Sequence, residues 1–366
     1  MTRVLVLGGS SYVAQFVLQR HLPAQFDAVS GGSTQTTFVM ACTMRGDPSF
    51  SAQLPHGFEG VALHSPPPTS SSHVYVYWEV DLGTMQGVRE SIHHFRPSVV
   101  INCVAMSSPA SCEKEPERAK LINEPRALIE FLAQEVDWNV HFLHFSTDFV
   151  YDGATPPANG YKESNAGSPA LTVYGASKLA FDAFLLAQQS EHLSGVVLRI
   201  ANVIGPQSPI FANQPVKFME WLHQELFGEV EGSKETAARS LRIWSDEVRS
   251  FIYVRDLATI VFALLESDTT ASPSRFLLLN IGGIDTLSRV ELAERYLAAC
   301  QRVDSENPMP RAVIAPTSRA TVDLGYHPPL NARLDTAKLH QQLPALALTP
   351  SDRIMEEICQ ELLLLK

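Results

Sequence analysis

"LVLGGSSYVA", Leu5 to Ala14, is a short apolar strand that runs into two glycines and then into residues of helical spacing. A strand, a glycine turn and a helix in that order bring backbone N–H groups and a helix N-terminus to one point, where a dinucleotide pyrophosphate can bind. Gly8 closes the strand, and a GxxGxxG spacing would put its second and third glycines at Ser11 and Ala14. Ala14 is a mild change, because the third glycine serves only close helix–sheet packing. Ser11 places a side chain where backbone should approach phosphate, although a serine hydroxyl can itself donate to phosphate. A tight turn that binds nothing is the competing reading.

Outward from this turn, apolar runs of strand length alternate with segments of helical period. After the helix from Tyr12 to His21 come "TFVMACTMR" (strand), "VYVYWEVDL" (strand), "GVRESIHHF" (helix), "SVVINCVA" (strand) and "RALIEFLAQEV" (helix). "VHFLHFSTDFV" (strand), "SKLAFDAFLLAQQ" (helix) and "GVVLRIANVIG" (strand) complete the series. Such alternation predicts an α/β fold with a doubly wound parallel sheet and helices on both faces. The expected division is a dinucleotide-binding domain over 1–204 and a smaller, mixed, substrate-binding domain over 205–366, partly interleaved with the first. Beyond Gly205 the alternation weakens: "KFMEWLHQELF" and "LSRVELAERYLAACQRV" read as helices, and Leu241 to Glu266 passes from strand to helix. Two Ser-, Gly- and Pro-rich stretches, near 28–37 and 64–73, read as mobile surface insertions.

Bulk composition narrows the function. The 366 residues carry a formal net charge of -11, which argues against nucleic-acid or anionic-membrane partners. Five cysteines with no CxxC pair give neither a disulfide framework nor a zinc site, and no metal is expected. No signal peptide is read at "MTRVLVLGG", and no apolar run approaches the ~20 residues of a membrane span, so a cytoplasmic protein is expected. His141 and His144, three apart on a strand, point to opposite faces and cannot share a metal. His93 and His94 read as solvated, and "EKEPER" (Glu113 to Arg118) as an ordinary charged helix start.

Chemistry-bearing residues cluster at strand ends. Arg45 stands just past the second strand with no acid beside it, which favours the 2′-phosphate of NADP(H) over the 2′-hydroxyl of NAD(H). Asp81 and Leu82 are placed to meet adenine, and Cys103, Val104 and Ala105 to let a cofactor lie along the sheet edge. "STDFVYDG" (Ser146 to Gly153) ends the fifth predicted strand, and "YGASK" opens the next helix with Tyr174 and Lys178 on one face, four residues apart. Thr147 can hydrogen-bond a carbonyl oxygen. Tyr174 can exchange a proton with it if the Lys178 ammonium lowers the phenol pKa from about 10. Lys178 can also hold a nicotinamide ribose. A YxxxK pair alone is weak, but after a glycine turn and a strand-end Ser-Thr it points to hydride transfer.

"VLGGSSYVA", "FSTDFVYDG", "VYGASKLAFD" and "VLRIANVIGP" together resemble the extended branch of the short-chain dehydrogenase/reductase superfamily over nearly the whole chain. "STDFVYDG", "VYGASKLA" and "NARLDTAKL" are most similar to dTDP-4-dehydrorhamnose reductases, and equally to the regulatory beta subunit of methionine adenosyltransferase. The resemblance implies a Rossmann-type fold with Thr147, Tyr174 and Lys178 as the triad. It puts Gly8, Ser10, Ser11, Tyr12 and Val13 at the pyrophosphate, and Asn202 and Arg249 at the substrate. By position alone, Ser107 beyond the fourth strand and Asp148 beside Thr147 are further candidate contacts, Asp148 serving equally to order its turn. Thr147-Asp148-Phe149 lacks the glutamate of the Thr-Asp-Glu found in sugar-nucleotide dehydratases, which disfavours elimination. The expected reaction is NADP-dependent reduction of a keto group on a nucleotide sugar such as dTDP-4-dehydrorhamnose. A sugar-nucleotide epimerase and a non-catalytic NADP-binding regulatory subunit, partnered by methionine adenosyltransferase, are the alternatives. Extended relatives often pair through helices flanking the sheet, so a homodimer is compatible.

Overall fold

The computed structural model describes residues 1–22, 38–46, 54–166, 172–211, 215–228, 239–267, 275–303 and 310–364. Strands of the first half are β1 (Thr2–Leu7), β2 (Phe38–Thr43), β3 (Phe58–Gly60), β4 (Val74–Tyr77), β5 (Val99–Asn102), β6 (Val140–Thr147) and β7 (Leu193–Ile200). They are followed by β8 (Asn202–Ile204), β9 (Arg239–Trp244), β10 (Val248–Tyr253), β11 (Phe276–Ile281), β12 (Thr286–Ser288), β13 (Ala312–Thr317) and β14 (Asn331–Ala332). Helices α1 (Tyr12–His21), α2 (Val88–Phe95), α3 (Pro109–Lys114), α4 (Pro116–Asn123), α5 (Arg126–Gln134) and α6 (Val173–Leu186) belong to the first half. The second half has α7 (Phe218–Phe227), α8 (Val254–Glu266), α9 (Arg289–Val303), α10 (Ala337–Gln342) and α11 (Ser351–Leu363).

Eight strands make one parallel sheet in the order β11-β7-β6-β5-β1-β2-β4-β3. Val4 to Leu7 are fully buried, as a central strand covered on both faces requires. On one face, α2, α5 and α6 bring Val88, Ile92, Leu128, Leu132, Phe181 and Leu185 into one apolar cluster. On the other, α1 and α8 begin a larger cluster that continues through α7, α9 and α11. This is the doubly wound Rossmann arrangement. The chain leaves β1 toward β2 on one side and later resumes at β5 on the other, so the strand order reverses between β1 and β5. Ligands of such sheets bind in the crevice at the strand C-termini at that switch point.

Four local expectations change. The single strand read over 195–205 is broken at Ala201: β7 stays in the large sheet, while β8 pairs with β10 in a smaller one. The second half also returns a strand to the large sheet, because β11 pairs with β7 from Phe276↔Gly195 to Ile281↔Ile200. The 64–73 stretch has no helix or strand, but it is tied down: Arg3 Nη1 donates to the Pro68 carbonyl (2.8 Å), and His94 Nε2 meets the Ser65 carbonyl (2.7 Å). His94 is therefore not simply solvated; its Nδ1 pairs with the Tyr77 hydroxyl at 2.7 Å. Residues 28–37 lie outside the described residues.

Candidate dinucleotide groove and tyrosine–lysine site

The glycine turn forms because two positions exclude a side chain. Gly8 has φ +77°, and a Cβ there would stand 2.8 Å from Val104 Cγ2; one on Gly9 would stand 2.7 Å from Cys42 Sγ. The turn is latched by Gly9 N–H to the Thr43 carbonyl (2.9 Å) and Gly8 N–H to Thr43 Oγ1 (3.1 Å). Ser11 needs no glycine, since its φ of -67° is ordinary. It serves as the N-cap of α1, its Oγ accepting from Ala14 N–H at 3.3 Å. The substitution has thus become a helix cap.

At the switch point lies a groove of about 540 Å³. Of the expected cofactor residues, Gly8, Ser10, Ser11, Arg45, Asp81, Leu82, Cys103, Val104 and Ala105 line it, as does Ser107. Tyr12, Val13, Tyr174 and Lys178 do not line it; the Tyr12 hydroxyl turns away and donates to the Pro206 carbonyl (2.8 Å). Sequence reading missed the opposite wall, where Ser108, Ser111, Glu115, Arg118 and Ile122 stand on and before α3 and α4. The signal was present: a helix following the strand next to β1 must wall the crevice, so "EKEPER" was more than a charged helix start. Arg45 reaches Asp81 at 3.8 Å and Arg118 donates to Glu115 at 2.9 Å; both arginines are largely exposed. Exposed pairs of this kind are worth at most about 1 kcal/mol, so a stronger anion can draw either arginine away.

Beside the groove, β6 ends at Thr147, whose Oγ1 accepts from Phe149 N–H (3.2 Å) and starts a 3₁₀ turn. Thr172 caps α6 by accepting from Gly175 N–H (3.0 Å), which sets Tyr174 and Lys178 on the turn facing β6. Tyr174 is half-buried, packs edge-on against Phe149, and has the Thr147 hydroxyl as hydrogen-bond partner. Lys178 is buried at 1% exposure, and its Nζ donates to the Phe145 carbonyl at 2.9 Å. Asn123, also buried, joins this helix to the groove wall: its side chain donates to Ser177 Oγ (3.1 Å) and accepts from Met106 N–H (2.8 Å).

The electrostatics correct one expectation. Burial pushes the Tyr174 phenol pKa up, with Asp148 adding to the rise and the Thr147 bond opposing it. The net shift stays upward with Lys178 one turn away, whose own ammonium is desolvated and held at about 8. Tyr174 is accordingly a neutral phenol near pH 7, the form that can give a proton.

The RmlD substrate binding domain model matches residues 3–349. The chain belongs to this family. Among its relatives, the methionine adenosyltransferase 2 subunit beta of Pongo abelii is 30% identical over 262 residues, 71% of this chain and 70% of that protein. Among solved structures, dTDP-4-dehydrorhamnose reductase from Bacillus anthracis in complex with NADP superposes with TM-score 0.65 at 18% identity, covering 100% of both chains. UDP-glucose 4-epimerase from Thermotoga maritima with UDP-glucose gives TM-score 0.68 at 16% identity over 98% of each. These structural likenesses show the shared fold.

In this RmlD-family chain, two expected substrate contacts are spent on each other. Arg249 Nη1 donates to Asp148 Oδ2 (2.8 Å), Nε to Glu247 Oε1 (3.0 Å) and Nη2 to the Pro329 carbonyl (2.9 Å), with both partners of the first pair 4% exposed or less. Opposite charges brought together in the interior pair before they meet any ligand, since an unpaired buried charge is costly. The knot places β10 against the end of β6. Asn202, by contrast, is part-exposed on β8 opposite Phe251. No group of three or more His, Cys, Asp or Glu among the described residues could hold a metal. His144, on β6, packs edge-on against Phe181 of α6 with Nδ1 against Asn102 (3.2 Å), and His141 pairs with Ser194 (3.3 Å).

Proposed function

We propose that this chain is a nicotinamide-dinucleotide reductase acting on the keto group of a nucleotide sugar, with NADP(H) preferred to NAD(H). The observation that carries the reading is a neutral, half-buried Tyr174 bonded to Thr147, with buried Lys178 one turn along α6, beside a groove built for a pyrophosphate. The groove fits such a cofactor on its own geometry: Gly8 sits at positive φ against Val104, and α1 begins at the wall with a capped first turn. Gly8, Ser10 and Ser11 would hold the pyrophosphate, and Arg45 and Arg118 a 2′-phosphate. The cofactor supplies the hydride chemistry. Thr147 and Tyr174 orient a carbonyl oxygen by hydrogen bonds, and the Tyr174 hydroxyl gives that oxygen its proton. Lys178 has one N–H on the Phe145 carbonyl and offers the others to a ribose hydroxyl. Asn202 and Ser107 are the remaining polar groups of the set on the substrate side.

Purified protein should consume NADPH with a dTDP-4-keto-6-deoxy sugar, and Tyr174→Phe should reduce the rate by about 10²- to 10⁴-fold. An epimerase would interconvert sugars without net NADPH consumption. A specific observation favours a second reading: the similarity to methionine adenosyltransferase 2 subunit beta, together with Asp148 and Arg249 locked to each other. A regulatory subunit would bind NADPH, leave keto sugars untouched and copurify with methionine adenosyltransferase.

A further inference from the structure

The first turn of α1 looks two ways. Toward the groove it presents Ser10 and Ser11. Away from the groove, Gln15 is fully buried and, among the described residues, the polar contacts of its side chain are to backbone. Its Nε2 donates to the Ser10 carbonyl (3.0 Å), while its Oε1 accepts from Ile210 N–H (3.1 Å) and Phe211 N–H (2.8 Å). The amide can be oriented in only one way, because the oxygen must face the two N–H groups and the nitrogen the carbonyl. A second tie runs parallel: the Tyr12 hydroxyl donates to the Pro206 carbonyl (2.8 Å), where Gly205 lets the chain pass close, since a Cβ there would stand 2.6 Å from that hydroxyl. The segment so held leads directly from β8, which carries Asn202 and pairs with β10.

We infer that Gln15 is a positioning residue that couples dinucleotide binding at the glycine turn to the order of the 206–211 segment on the substrate side. The inference rests on the dinucleotide reading above. Gln15 pulls the Ser10 carbonyl inward, away from an incoming anion that it would repel. A pyrophosphate that fixes the turn also fixes the Ser10 carbonyl, and through it the amide that holds Ile210 and Phe211. By linkage the coupling is mutual: an ordered 206–211 segment presents a turn already set for the dinucleotide.

The test is hydrogen–deuterium exchange of the full chain with and without NADPH, binding being followed separately by tryptophan quenching. The expected result is that NADPH slows exchange of the Ile210 and Phe211 amides about tenfold beyond any slowing in the β9–β13 pair, whose residues do not line the groove, and that Gln15→Met abolishes the excess while still folding. Bound NADPH with no excess protection at these amides in the wild type overturns the coupling without recourse to any variant. So does excess protection that survives in Gln15→Met, since the coupling would then reach the two amides without the Gln15 side chain. Absence of NADPH binding in the titration would sink the dinucleotide reading itself, and the coupling with it.

Discussion

Lys178 is placed where function and stability pull in opposite directions. Burial lowers its pKa from 10.5 to about 8, so the folded protein holds its proton less firmly than the unfolded chain does. The ammonium therefore costs stability in full below about pH 8, and the cost is relieved as pH rises toward the ordinary lysine value. Lys178→Met should melt no lower than the wild type at pH 7, yet bind NADPH at least about tenfold more weakly, a charged hydrogen bond being worth about 1.5–3 kcal/mol. Wild-type affinity should also fall above about pH 8, and the variant should lose that dependence; fluorescence titration across pH 6–9.5 reads both. Arg45 makes a simpler case. Its bridge to Asp81 is long and exposed, so Arg45→Ala should leave thermal stability unchanged, weaken NADPH by about tenfold and alter NADH little. Equal losses for both cofactors would remove Arg45 from the 2′-phosphate.

At the level of elements, α6 is more than the carrier of Tyr174 and Lys178. One turn beyond Lys178, Asp182 is fully buried and accepts from Arg199 Nε on β7 at 2.9 Å. Arg199 Nη1 goes on to the Tyr151 hydroxyl (3.2 Å) and the Glu163 carbonyl (2.8 Å), and Tyr151 donates to Asn280 on β11 (2.6 Å). A polar chain thus fastens α6 to two strands and to the segment after β6. Asp182→Ala leaves an interior guanidinium without its counter-charge and should cost roughly 3–5 kcal/mol in urea unfolding. A cost near that of an exposed pair would show that solvent enters the network. The altered glycine turn also belongs at this scale, because Ser11 finishes α1 by capping it, while Gly8 and Gly9 alone carry the steric demand.

For the whole molecule, the large sheet is not closed by the first 204 residues. β11 covers β7 along six residue pairs, and α8 helps to bury the sheet face on which α1 lies. A fragment ending at residue 204 would expose a long apolar strand edge and the face beneath α8, so it should aggregate and show no cooperative melt by circular dichroism. Sequence alone determined the alternation of strands and helices, the strand–turn–helix at Gly8, and the placing of Tyr174 and Lys178 four apart on one helix, because each is a local pattern whose spacing survives in any fold that contains it. It could not show that β7 hands over to a second sheet at Ala201, since both strands read as one apolar run. Nor could it show that Asp148 and Arg249, 101 residues apart, neutralise each other, or that Arg118 lines the same groove as Arg45. The sign of the Tyr174 shift was misjudged for the same reason: sequence supplies the neighbouring ammonium, but only packing decides how much water each group loses. Charge pairing and desolvation depend on distances between segments remote in the chain, and the tertiary structure alone decides those.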